Sequence, residues 1–142
     1  MKYNKIKSEL FVKNRKSFMK NMVGKSIAFF NSNDIYPISA DSTLAFEQHR
    51  DIFYLSGVDQ EESILVLCPN AIDEKHREIL FLKETNEHIA VWEGPKLTKQ
   101  QAFETSGVRT VYWLKDSDKI IAKLVDQCDT IYYNHNEHYR AK

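Results

Sequence analysis

One short segment of the 142-residue chain carries many of the residue types that catalysis uses. Residues 46–57 read FEQHRDIFYLSG and contain a histidine, an arginine, two acids and three aromatic rings. A histidine beside carboxylates can act as a general acid or base. The competing interpretation is a charged loop that enters a buried strand, because Ile52 to Leu55 would place apolar side chains on both faces of a strand. The sequence favours this scaffold strand, and no catalytic residue is predicted.

Two histidines near the C-terminus have a spacing that could bind a metal. His135 and His138 form an H-x-x-H pair, and side chains three residues apart share a face of a helix. A zinc site needs three or four protein ligands, and no third ligand follows at a recognisable spacing. A polar tail is therefore the favoured interpretation. His49, His76 and His88 stand beside charged residues and are expected to face water, so no metal site is predicted.

The two cysteines match no metal-binding spacing, since Cys68 and Cys128 are far apart in the chain. A nucleophilic cysteine needs a neighbouring base or cation, and the sequence identifies none beside Cys68, so we expect a buried or half-buried structural thiol. Phosphate-binding loops of the P-loop or G-x-G-x-x-G type are absent, and the chain has four glycines. Free thiols without a signal peptide or long apolar run predict a cytoplasmic location and no membrane contact.

Composition indicates one globular domain, since 142 residues with 42% hydrophobic content can build a single core. Twenty basic and twenty acidic residues cancel, which argues against a nucleic-acid partner. Residues 1–25 nevertheless hold eight Lys or Arg and one Glu. This basic run is interpreted as the solvent-exposed face of an amphipathic helix, with a basic binding arm as the alternative.

Hydrophobic periodicity and turn residues predict an α/β domain in which a mixed sheet of about six strands carries helices on its faces. Helices are expected from Ser8, as the N-cap, to Gly24, over residues 97–107 from a Thr98 cap to Gly107, and over residues 116–128. Residues 31–43 are expected to form a loop. The expected strands cover residues 26–30, 52–55, 63–69, 77–83, 88–94, 108–114 and 129–134. The early strands should pair antiparallel, and the later ones, joined by helices, could pair in parallel.

Several motifs in order resemble the N-terminal domain of Xaa-Pro aminopeptidase (aminopeptidase P), which prolidase and creatinase share more loosely. They are the run Ser39-Ala40-Asp41-Ser42, then Gln48, Asp51, Phe53-Tyr54, Gly57 and ESILVL, together with FVKNRKSFMKNM, REILFLKETNEHIAVWEGPKLT and SGVRTVYWLKD. The resemblance covers nearly the whole of residues 1–142. It implies a three-layer creatinase/prolidase N-terminal-domain fold with a ribonuclease H-like motif.

The resemblance also implies that this domain is not catalytic. In the family, a separate C-terminal domain of pita-bread fold holds two metal ions, usually manganese, and cleaves the bond before proline. That domain is expected to be absent from this chain, so we expect no cofactor and no peptidase activity in the chain alone. The implied partners are the chain's own catalytic domain, proline-containing peptides and further copies in a homodimer or homotetramer.

One residue receives a role from the resemblance. Trp92, in VWEGPKL, corresponds to a tryptophan that in relatives reaches the substrate pocket of an adjacent subunit. An exposed indole at a strand end could stack on a proline ring, whereas the alternative places Trp92 in the core like Trp113. Three functions remain open: a domain that supports oligomerisation and pocket closure in an aminopeptidase or prolidase, a peptidase-like binding module such as that of a histone-chaperone subunit, and a freestanding domain with its own small-molecule pocket.

Overall fold

A computed structural model describes residues 6–33, 37–39, 42–43 and 46–134. The elements are α1 (Ser8–Lys20), β1 (Ser26–Asn31), β2 (Pro37–Ser39), β3 (Ser42–Thr43), α2 (Arg50–Ser56), β4 (Ile64–Leu67), β5 (Glu78–Leu82), α3 (Glu87–Glu93), α4 (Lys99–Ser106), β6 (Thr110–Trp113), α5 (Ser117–Val125) and β7 (Thr130–Tyr133). Five strands form one mixed sheet in the order β6-β5-β4-β1-β7, and β2 and β3 form a separate two-stranded ribbon.

The direction of strand pairing follows the connections between strands. β1 pairs antiparallel with β4, and β4 pairs antiparallel with β5. β5 pairs in parallel with β6, and β1 pairs in parallel with β7. Parallel neighbours need long crossover connections, which helices supply. The predicted mixed sheet is confirmed, with five strands where about six were expected.

Two cores lie on opposite faces of the sheet. Along β4 and the residue that follows it, Leu65 and Leu67 lie in the core on one face, while Val66 and Cys68 lie in the core on the other. Helices α1, α2 and α4 cover the first face, and Leu124 of α5 packs against the second. Burial on both sides explains why these strands are continuously apolar. The expected arrangement of three layers is confirmed.

The predicted strand at residues 52–55 is wrong, because this segment belongs to α2. His49 caps the helix by accepting a hydrogen bond from the Asp51 backbone amide, and Gly57, with φ of 71°, ends it. Ile52 and Leu55 are buried three residues apart while Tyr54 is 51% exposed, which is a helical pattern. A cap and a glycine stop therefore outweigh the β-propensity of Ile, Phe and Tyr.

The predicted strand at residues 88–94 is also wrong, and the segment forms α3. Asn86 begins the helix, since its side chain accepts a hydrogen bond from the Ile89 amide, and Gly94 follows the last helical residue. Between the Asn86 cap and Gly94, this local capping chemistry outweighs the β-propensity of Ile89 and Val91.

Three smaller predictions were also wrong. Lys7, not Ser8, is the N-cap of α1, and it makes no side-chain capping bond. The helix ends at Lys20, four residues before Gly24, and part of the expected loop 31–43 forms β2 and β3. By contrast, the Thr98 cap and the Gly107 stop of α4 were predicted correctly, and the structure adds a capping box with Gln101 and a left-handed Gly107. His135 and His138 lie outside the described residues.

Candidate functional site

Two adjacent apolar side chains, Val91 and Trp92, are exposed on the helix that follows β5, and we define them as the α3 patch. Trp92 is 79% exposed and Val91 is 78% exposed. Helix α3 contains no buried residue. The indole therefore stands on the surface of a helix, whereas the sequence predicted a strand end. Placement of Trp92 in the core is excluded, and its large apolar ring is available to another molecule.

Helix α3 is held at both ends by polar contacts, and none of its residues is fully buried. Asn86 caps the first turn through the Ile89 amide at 2.9 Å. At the other end, Lys83 Nζ donates a hydrogen bond to Glu93 Oε1 at 2.9 Å. The Gly94 amide closes the last turn by donating to the Ala90 carbonyl at 3.0 Å. These contacts fix the position of the residue immediately before Glu93, which is Trp92.

Lys83 connects α3 to the loop that precedes β4. Its ammonium lies 2.9 Å from Glu93 and 3.8 Å from Glu62. The hydrogen bond to Glu93 and the charge of Glu62 raise the pKa of Lys83 above its usual value. Glu62 has φ of 55°, a left-handed conformation that costs a non-glycine residue about 1 kcal/mol. An ammonium between two carboxylates thus bridges two chain segments that are otherwise separate in sequence.

The segment after α3 is attached to the same loop. The Leu97 amide donates to Gln60 Oε1 at 2.9 Å, and the Lys96 ammonium forms an ion pair with Glu61. Burial alone would raise the pKa of Glu61, but its hydrogen bond with Lys96, together with its backbone hydrogen bond and nearby ammonium charges, lowers it. Both sides of α3 therefore depend on residues 60–62.

The charged segment at residues 46–57 also contacts this loop. Gln48 Nε2 donates to the carbonyls of Val58 at 2.9 Å and Gln60 at 3.1 Å. His49 is 9% exposed, so the expectation that it faces water was wrong, and its Nδ1 serves as the cap of α2. The segment therefore positions a loop, and its histidine is occupied by a backbone amide.

The cysteines lie on the opposite face of the sheet from α1. Cys68 is fully buried, as predicted, and its Sγ lies 3.6 Å from Cys128 Sγ. Burial, together with the hydrogen bond and charge of the Cys128 sulfur, raises the pKa of Cys68 to about 12. A thiol held in this protonated state is a poor nucleophile.

Metal binding finds no support in the part of the chain that the structure describes. Within those residues, no three His, Cys, Asp or Glu side chains are grouped so that they could hold an ion. The same residues include no helix that is long and apolar enough to span a membrane. The donor set does not fit a two-metal centre, and no chemistry through a metal is assigned to these residues.

Sequence reasoning found Trp92 but missed the residues that position it. Lys83, Gln60 and Glu62 belong to no sequence motif. Their roles depend on the loop before β4 and on α3, and α3 was predicted as a strand. The polar residues of the run VDQEES (58–63), which would suit a solvated link between two elements, are the signal that the sequence offers. Gln60 is in fact 6% exposed.

Comparisons of the sequence with a family model and with known proteins agree with one another. The family model described as the N-terminal domain of aminopeptidase P matches residues 11–132. The chain is 29% identical over 105 residues to Xaa-Pro aminopeptidase 3 of Homo sapiens, which is 72% of this chain and 21% of that protein. It is 24% identical over 138 residues to Xaa-Pro aminopeptidase of Escherichia coli K12, covering 97% of this chain and 31% of that protein.

Solved structures show the same fold. The structure of Pseudomonas aeruginosa aminopeptidase PepP superposes with a TM-score of 0.84 at 24% identity, covering 94% of this chain and 30% of that chain. A putative aminopeptidase P from Bacillus anthracis gives a TM-score of 0.81 at 21% identity, covering 96% of this chain and 33% of that chain. The chain therefore spans about a third or less of the length of these relatives.

Proposed function

The chain belongs to the aminopeptidase P N-terminal domain family, and from this we propose that it is the non-catalytic domain of a metal-dependent Xaa-Pro aminopeptidase. The parent protein would remove an N-terminal residue that precedes proline. The share of each relative that the chain matches supports this assignment, because 21% to 31% of their length leaves room for a separate catalytic domain. Prolidase activity is the alternative within the same family.

The exposure of Trp92 is the observation that carries the proposed role of this domain. Its indole is 79% exposed on α3, beside the 78% exposed Val91. Large apolar side chains that lie together on a surface commonly mark an interaction site. We propose that Trp92 lines the substrate pocket of a neighbouring subunit and stacks on the proline ring of the peptide.

The anchoring of α3 supports this role. A residue that completes a pocket in another subunit must be held in place, because a small displacement weakens substrate positioning. Lys83, bonded to Glu93 at 2.9 Å, and the Asn86 cap hold both ends of the seven-residue helix. The domain would thus contribute a rigid wall to the pocket, and oligomerisation as a homodimer or homotetramer would bring that wall to its target.

The chemistry is proposed to belong to a domain outside this chain. Two divalent metal ions, manganese in the family, would activate water for attack on the peptide bond when bound there. The residues of this chain would only help to position the substrate and to exclude water. Closing a site to water strengthens the electrostatic interactions inside it.

The full-length product of the gene provides the test. Trp92→Ala should lower kcat/KM for a peptide with proline second by about tenfold or more, since loss of a buried aromatic contact is worth over 1.4 kcal/mol. Ile72→Ala, which removes another exposed apolar side chain, is the matched control and should leave the rate unchanged.

Mixed oligomers test whether Trp92 acts on a neighbour. Subunits that carry Trp92→Ala are combined with subunits whose catalytic domain has been inactivated. If the indole acts between subunits, the intact Trp92 of the inactive subunit should restore activity to its neighbour. Equal rates for wild type and Trp92→Ala would reject the pocket role, and absence of peptide hydrolysis by the full-length product would favour a binding module.

A further inference from the structure

A basic cleft lies at the opposite end of β5 from α3. Its volume is about 710 Å³, within the range of small-molecule sites. The walls come from α1, the segment that leads into β5, the first residue of β6 and Gly107 at the end of α4. Because the five residues of β5 separate the cleft from the α3 patch, the cleft is distinct from the proposed peptide site.

The described residues that line the cleft have an excess of positive charge. Five of them are cationic, and two, Glu74 and Glu78, are acidic. The whole chain has no net charge, so this excess is local and does not reflect composition. The cationic lining residues are Arg15, Lys16, Lys75, Arg77 and Arg109. A concave surface lined by one sign of charge focuses the electrostatic potential and concentrates ligands of the opposite sign.

Arg15 is the buried cation among the residues that line the cleft. It is fully buried, its Nε donates to Glu78 Oε1 at 2.6 Å, and its Nη1 donates to the Leu55 carbonyl at 2.8 Å. Its Nη2 is buried without an acceptor among the described residues. Glu78 therefore pairs with the Arg15 guanidinium, but the hydrogen-bonding capacity of that guanidinium is not filled, because its Nη2 group has no acceptor among the described residues.

Gly107 keeps the wall beside Arg15 thin. A Cβ at this position would lie 3.5 Å from Arg15 Nη2 and 2.5 Å from a methyl carbon of Val12. The φ of Gly107 is +77°, which favours glycine. The bare backbone therefore lines the cleft in direct proximity to the buried guanidinium.

Three cations at the rim are available to a ligand. Lys16, Lys75 and Arg109 form no ion pair with another described residue, although the Arg109 guanidinium lies 5.6 Å from the Phe103 ring centroid. Arg77, in contrast, is engaged with Glu74 at 3.9 Å and with the Ala71 carbonyl at 3.3 Å. Two residues with ammonium groups and one with a guanidinium fork thus line the same cleft.

We propose that this cleft binds the phosphate group of a small phosphorylated molecule. A guanidinium fork matches two phosphate oxygens, and lysine ammonium groups bind phosphate as point charges. An excess of three positive charges suits a dianionic phosphate better than a single carboxylate. The basic run at residues 1–25, which the sequence alone assigns to the solvent-exposed face of a helix, contributes Arg15 and Lys16 to this site.

Inorganic phosphate and pyrophosphate serve as probes, titrated at constant ionic strength against the purified chain. Saturable changes in amide resonances should appear at Gly107 and Thr110, with stabilisation against heat. Lys75→Gln combined with Arg109→Gln should weaken binding by about tenfold or more, because two charge-assisted hydrogen bonds are lost. The matched control, Lys119→Gln with Lys123→Gln on α5, removes the same charge from exposed positions and should bind as wild type.

The wild-type titration alone can overturn the proposal, even if a variant folds poorly. Absence of saturable shifts at Gly107 and Thr110 with millimolar phosphate would reject the site. Equal weakening in both double variants would also reject it, because the effect would then be a general charge attraction. Neither result bears on Trp92, whose test uses peptide hydrolysis.

Discussion

The Lys83 ammonium lies 2.9 Å from the Glu93 carboxylate and joins the residue that follows β5 to the last residue of α3. Because no residue of α3 is fully buried, this pair and the Asn86 cap supplement the limited packing of its half-buried Ile89 and Ala90. The exposed Trp92 is adjacent to Glu93. The position of a candidate functional side chain therefore depends on an ion pair at the surface.

Lys83→Ala should loosen α3 without unfolding the domain. Hydrogen exchange at the Gly94 amide should accelerate by roughly two- to fivefold, since an exposed pair is worth up to about 1 kcal/mol. Lys115→Ala is the control, because it removes a similar pair with Glu84 at 2.9 Å. Equal exchange at Gly94 in wild type and Lys83→Ala would show that the pair does not position the helix.

Trp92→Ala should leave the free energy of unfolding within about 0.5 kcal/mol of wild type, because the side chain is exposed. Trp113→Ala should cost about 2 kcal/mol or more, since Trp113 packs against a buried core. Urea denaturation measures both. A loss of about 3 kcal/mol for Trp92→Ala would make Trp92 structural.

Arg15→Met should destabilise the domain by about 3 kcal/mol or more, because it leaves Glu78 and the Leu55 carbonyl without a buried partner. Lys16→Met, the neighbouring exposed residue, should change stability by less than about 0.5 kcal/mol. Adding Glu78→Gln to Arg15→Met should recover part of the loss in a double-mutant cycle. Strict additivity of the two changes would contradict the coupling.

Alkaline pH should destabilise the domain through Cys68. Its pKa is raised from 9.0 to about 12 in the folded state, so the unfolded thiol ionises first. The contribution to stability is complete below pH 9 and is lost as the pH rises towards about 12. Urea denaturation should show a steeper alkaline loss for wild type than for Cys68→Ala. Identical slopes would exclude Cys68 as the cause.

The fold class was predictable because burial dominates the sheet. Runs such as ILVL in β4 and EILFL in β5 are apolar on both faces, and a strand covered on both sides leaves that signature in sequence. The Thr98 cap and Gly107 stop of α4 were also clear, since both act through local backbone chemistry.

Helices α2 and α3 were mistaken for strands for the same physical reason. Each is only seven residues long and includes β-branched or aromatic side chains, so its intrinsic propensity points to a strand. His49 and Asn86 cap them by bonding backbone amides. A histidine cap is uncommon, and it outweighs propensity only in the context of the folded loop.

The site was predictable only in its one aromatic residue. Trp92 was found through a motif, but Lys83, Glu62 and Gln60 act through long-range contacts that no sequence spacing encodes. The cleft was not predictable from sequence either, because Arg15, Lys75 and Arg109 line one cleft only where α1 and the starts of β5 and β6 meet in the fold.

Assay of the purified, folded chain with manganese and a peptide that has proline second tests the central claim most directly. We predict no release of the N-terminal residue above the rate without protein, because the described residues group no metal ligands. Retained near-ultraviolet circular dichroism is the control for folding. Turnover that requires manganese and stops on chelation would contradict the assignment of catalysis to another domain.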